Sequence, residues 1–103
     1  MFGNGPPEFK VIYTERVRQE LRLLVERAKT AGQAPRLLAA VKTLDENLKH
    51  KPRSVGEPLY TLKDANIELR IGGQDFLSAR FGVHLEKNLV VVTECHVLGE
   101  PGF

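Results

Sequence analysis

The chain lacks several features that would settle its class at once. It has one cysteine, Cys95, in 103 residues. A single thiol excludes an internal disulfide framework and fits a reducing compartment, so a cytoplasmic location is expected. No apolar run approaches the roughly 20 residues needed to span a bilayer, so no membrane partner is expected. The opening "MFGNGPPEF" has neither a basic region nor an apolar stretch and does not read as a secretion signal. There is no internal repeat and no low-complexity tract. The three histidines and the cysteine show no metal-ligand spacing. "IGGQDF" lacks the lysine and the following helix of a phosphate loop. Neither a metal nor a cofactor is expected.

What is present suffices for one small core. Hydrophobic residues make up 42% of the chain and charged residues 27%, the balance of a single compact domain. The net charge of +2 hides an asymmetry. Residues 1–53 hold 11 Lys and Arg against 6 Asp and Glu, a balance of +5, and residues 54–103 hold 4 against 7, a balance of −3. Clustered positive potential steers an acidic protein or a nucleic acid towards such a half. Two amphipathic helices with ordinary solvated faces would give the same count.

Periodicity places the elements. Residues 1–8, rich in Gly and Pro, read as an extended arm, residues 9–98 as one domain and residues 99–103 as a short tail. "FKVIYT", residues 9–14, alternates and is rich in strand formers. Thr14 is a good N-cap for a helix in which Val17, Leu21, Leu24, Ala28 and Ala31 form one stripe, ended by Gly32. Arg16, Arg18, Arg22 and Arg27 lie largely off that stripe. Pro35 suits the first turn of a second helix with Leu37, Val41, Leu44 and Leu48 on one face, and this helix stops before Pro52. So short a connection implies an antiparallel hairpin. "PRSVGEPLYTL" reads as a loop. Three strands follow, around Ile67–Ile71, Leu77–Leu85 and Leu89–Val97. The expected fold is α+β: a strand, a two-helix hairpin, then a three-strand antiparallel meander, with the helices on one sheet face.

In each of those three strands one parity is almost wholly apolar and is expected to face the helices, with Leu69, Phe81 and Val91 in the core. The other parity carries Glu68 and Arg70, Ser78 and Arg80, Glu94 and His96. If the strands pair in order, these six share the open face. Cross-strand ion pairing explains them without any chemistry. His50, between Lys49 and Lys51, reads as a partner for the helix dipole.

The "FKVIYT" strand opening into a helix, the "LDENLKHKPRSVGEPLYTL" approach, the "IELRIGG" strand and the final valine-rich strand together resemble the RelE/ParE superfamily of type II toxin–antitoxin toxins. The resemblance covers residues 9–98. It implies a toxin that inhibits growth until a cognate antitoxin wraps it with an extended segment and a helix. RelE-like and HigB-like members cleave messenger RNA on the ribosome, whereas ParE-like members bind DNA gyrase.

On the nuclease reading, which would make the chain a metal-independent endoribonuclease, Arg70 matches the phosphate-contacting arginine of the "LR" strand. Arg80 would add a second cation, and His96 could act as general acid or base. The departures are plain: Asn66 and Glu68 stand where basic residues are expected, and no Lys or Arg follows His96. On the binding reading the helices work, with Arg18 and Arg22 as antitoxin or target contacts and Glu68 and Glu94 as further contacts. A homodimer and a stand-alone relative without toxicity also fit the resemblance.

Overall fold

The computed structural model describes residues 8–98; most of the expected arm and the whole of the tail lie outside the described residues. Strand β1 (Lys10–Tyr13) leads into helices α1 (Glu15–Thr30) and α2 (Ala34–His50). A single 3₁₀ turn (Pro52–Ser54) then connects to β2 (Glu57–Leu62), β3 (Ile67–Gln74), β4 (Leu77–His84) and β5 (Leu89–Val97). The five strands form one mixed sheet in the order β1-β5-β4-β3-β2. The last four pair as an antiparallel meander, and β1 lies parallel to β5. Two helices packed against a five-strand sheet make the molecule α+β.

Local chemistry starts and stops the helices. The Thr14 hydroxyl accepts a hydrogen bond from the Val17 amide at 3.2 Å, and Glu15 sits in the positive first turn of α1. Gly32, at φ +72°, makes the left-handed turn after α1, and Pro35 stands in the first turn of α2. Inward-facing Val17, Leu24 and Ala28 of α1 and Leu37, Leu44 and Leu48 of α2 meet Leu77, Ala79, Phe81 and Val83 of β4 and Val90 and Val92 of β5. Phe81, 1% exposed, is the largest of the fully buried side chains.

Three expectations are corrected here. The stretch read as a loop contains β2. All six residues of that strand are exposed, so it carries no alternation to detect, and it exists because it pairs along the edge of β3. "GGQD" does not break the pattern, because β3 runs through Gly72 and Gly73 to Gln74.

The third correction concerns which face β3 turns to the helices. Arg70 lies opposite Phe81 and Glu68 opposite Val83, so both charged side chains stand on the core side, while Leu69, opposite Gly82, is on the open face. A cross-strand pair shares one face, and one residue of register exchanges the faces of a whole strand. Val91, opposite Gly82 on the other side, is on the open face too. In β5 the faces also change part-way. Thr93 is an extra residue between the pairs Phe81–Val92 and Arg80–Glu94, so Val90, Val92, Cys95 and Val97 turn inward.

Candidate functional site

The six polar residues of the meander do not share one surface. Arg70 is 6% exposed and Glu68 9%. The Arg70 guanidinium donates from Nη1 to Glu68 Oε1 at 2.7 Å, from Nε to the Val55 carbonyl at 3.1 Å and from Nη2 to the Gly56 carbonyl at 3.2 Å. Arg53 Nη2 reaches the other Glu68 oxygen at 3.4 Å. The hydrogen bond from Arg70 holds the Glu68 carboxyl below its usual range against the opposing effect of burial, with Arg53 adding to it. Arg70 therefore ties the connection after α2 to the sheet. The same connection presses backbone on backbone: a Cβ at Gly56 would stand 1.9 Å from the Ile71 carbonyl oxygen, and one at Gly72 would stand 2.6 Å from the Gly56 Cα.

Ser78, Arg80, Glu94 and His96 do lie on the open face. Arg80 Nε stands 3.8 Å from Glu94 Oε2, both side chains about half exposed. His96 is exposed and lies opposite Ser78, which is itself buried. A scissile phosphate needs several cations close to the charge that develops on it. Arg80 is the one arginine that strand pairing brings to His96 among the described residues, and it is paired with a carboxylate; Arg27 of α1 borders His96 from the edge of the sheet instead. Beside them Ile12, Val91, Leu69 and Tyr60 form an apolar row across the strands over Gly82, and Lys10, His84 and Glu57 lie on the same face towards its ends.

The other predicted contacts fall on a different surface. Arg18 and Arg22 of α1 rim a groove of about 860 Å³ on the outside of the helix hairpin. Its floor is Leu21, Val25, Leu38 and Val41; Lys29 and Lys42 add cations to the rim, and Glu26 stands among them, 3.8 Å from Lys29. One end is closed by Tyr13, whose hydroxyl donates to Asp45 Oδ1. Asp45 in turn holds Lys49 at 3.0 Å. Burial, then the hydrogen bond to Asp45, raises the Tyr13 phenol, so it stays protonated. Arg18 approaches Glu15 at 4.0 Å, whereas Arg22 and Lys42 have no ion-pair partner among the described residues.

Sequence reasoning missed Val25, Lys29, Leu38 and Lys42. A signal existed: Arg18, Arg22, Val25 and Lys29 repeat at spacings of three and four, a second stripe beside the one that meets the sheet. Among the described residues no group of three His, Cys, Asp or Glu converges as a metal site, and no helix is long and apolar enough to cross a membrane. No family model, curated protein or solved structure matches the chain.

Proposed function

We propose that the chain works by holding another protein, and that the groove on its helix hairpin is the working surface. The observation that carries this reading is the pairing of an apolar floor with a cationic rim, two of whose members, Arg22 and Lys42, have no ion-pair partner among the described residues. Such a groove fits an amphipathic helix that brings its own apolar stripe and acidic flanks. Together with the resemblance in the strands and first helix, it favours a ParE-like toxin, a target-binding protein neutralised by a cognate antitoxin, with DNA gyrase as the candidate target.

The RelE-like alternative, cleavage of messenger RNA on the ribosome, is weaker. Arg70 is committed to Glu68 and two carbonyl groups, so Arg80 and His96 would have to carry the chemistry with Glu94 close by.

The test is induced expression in a bacterial host, following growth, translation and DNA supercoiling separately. The binding reading expects growth arrest that survives Arg80→Ala with His96→Ala and disappears in Arg22→Glu with Lys42→Glu. Ribosome-dependent cleavage by purified protein, lost on removing Arg80 and His96, would overturn it in favour of the nuclease.

A further inference from the structure

A second surface of a different kind lies at the far end of β5. This strand has nine residues, but β1 has four and accompanies it only from Leu89 to Val92. The chain then turns away: the Thr14 amide donates to the Val92 carbonyl and α1 begins. From Thr93 onward β5 has β4 on one side and, among the described residues, no strand on the other.

The Leu98 amide donates to the Phe76 carbonyl, so Leu98 points its polar groups at β4. Alternate residues of a strand point the same way, which directs His96 at β4 and turns the N–H and C=O of Cys95 and Val97 to the vacant side. No hydrogen bond among the described residues reaches these four groups from that side.

The vacant side is also a cleft, of about 450 Å³, walled by Cys95, His96 and Val97 on the strand and by Glu20, Leu23, Leu24 and Arg27 on α1. Leu23 is 59% exposed. Arg27 has no ion-pair partner among the described residues, while Glu20 faces Arg16 at 3.5 Å. The second oxygen of Glu20 is closed off from water and accepts no hydrogen bond among the described residues. Burial pushes the Cys95 thiol up to about 11, so the cleft offers no thiolate.

Free strand edges are commonly guarded by proline, lysine or a bulge. The outer edge of β2 has Pro58, with an irregularity between it and Tyr60. The Cys95–Val97 edge has no proline or lysine on it, and the bulge of β5 at Thr93 lies before it, in the pairing with β4.

We infer that this edge takes an extended segment of a partner protein as an added strand, collinear with β1, with an apolar side chain in the cleft and an acidic one at Arg27. Main-chain hydrogen bonds to Cys95 and Val97 supply the attachment, and the alternation of the added strand supplies selectivity. An inward residue meets Leu23 and Leu24, and its neighbours point outward beside His96. The site is separate from the hairpin groove, and it stands whether or not the groove is the working surface.

The test uses the full chain, ¹⁵N-labelled, and two capped heptapeptides, one alternating valine with glutamate and one alternating valine with lysine. In the free protein the Cys95 and Val97 amides are expected to exchange with solvent much faster than the His96 amide. The valine–glutamate peptide is expected to shift both resonances and slow their exchange about tenfold, and the lysine peptide to bind about tenfold more weakly. Arg27→Glu is expected to reverse that preference. Val97→Pro removes an edge donor without removing a bond to β4, and is expected to abolish binding of both peptides; should it unfold, the Arg27→Glu comparison decides alone. Binding by neither peptide, shifts confined to the hairpin groove or the β2 edge, or an unchanged preference in Arg27→Glu would each overturn the proposal.

Discussion

Arg70 and Arg80 are two arginines on adjacent strands with opposite fates, and register decides between them. Arg70 shares the side of Phe81 and is enclosed; Arg80 shares the side of Glu94 and is half exposed. Removing Arg70 leaves the enclosed Glu68 without its nearest cation and two carbonyl groups without donors. Arg70→Ala is therefore expected to cost about 3 kcal/mol, because breaking an enclosed pair strands a charge. Arg80→Ala, at a solvated pair, is expected to cost less than about 1 kcal/mol. Urea unfolding midpoints of the two variants check this, and equal losses would refute the division. The same network sets a pH dependence. Glu68 in the folded protein titrates below its usual range, so its contribution to stability is present above the unfolded carboxylate value and is lost as pH falls through the lower, folded value. Glu68→Gln is expected to flatten the acid limb of a stability-against-pH curve; an acid limb as steep as the parent's would place the sensitivity elsewhere.

The elements differ in how far the sequence specified them. The helix hairpin was legible because its determinants are local: the Thr14 cap, the 3.6-residue stripes, Pro35 and Gly32. The extra parallel role of β1 was not legible, nor was β2, whose six exposed residues offer no pattern and whose order comes from β3 alone. The alternation in β3 shows that its two faces differ but not which one meets the helices. Apolar Ile67, Leu69 and Ile71 argued for the core. The decision was made instead by contacts distant in sequence, from Val55 and Gly56 to Arg70. The candidate site divided likewise: Arg18 and Arg22 could be read from their helix face, whereas the distal edge of β5 depends on where β1 stops. Packing on the core side is expected to be unforgiving. Phe81→Ala or Leu44→Ala, at 1% and 3% exposure, is expected to cost about 2 to 5 kcal/mol. Leu69→Ala, on the open face, is expected to cost well under half as much as Phe81→Ala. Thermal unfolding of the three variants tests the assignment of faces, and a Leu69 loss equal to that of Phe81 would reverse it.

For the molecule as a whole, charge follows the two layers. The helices, residues 15–50, carry 8 Lys and Arg against 5 Asp and Glu, a balance of +3. The meander, residues 57–97, carries 4 against 6, a balance of −2. The groove therefore opens on the positive layer, and Arg22 and Lys42, without ion-pair partners among the described residues, add a local field to the global one. Long-range attraction of this kind acts mainly on the encounter rate and is screened by salt, with a Debye length falling from about 30 Å at 0.01 M to about 8 Å at 0.15 M. Contacts on the apolar floor of Leu21, Val25, Leu38 and Val41 act after docking and respond little to salt. The rates of an acidic amphipathic helical peptide are therefore expected to separate. Association should slow about tenfold or more between those salt concentrations, and dissociation should change far less. Arg22→Glu with Lys42→Glu should remove most of the salt dependence of association, and Leu38→Ala should speed dissociation while leaving association unchanged. Stopped-flow fluorescence with a labelled peptide gives both rates. Association that is indifferent to salt in the parent protein would mean that the cationic rim does not steer its partner and that the layered charge serves only solvation.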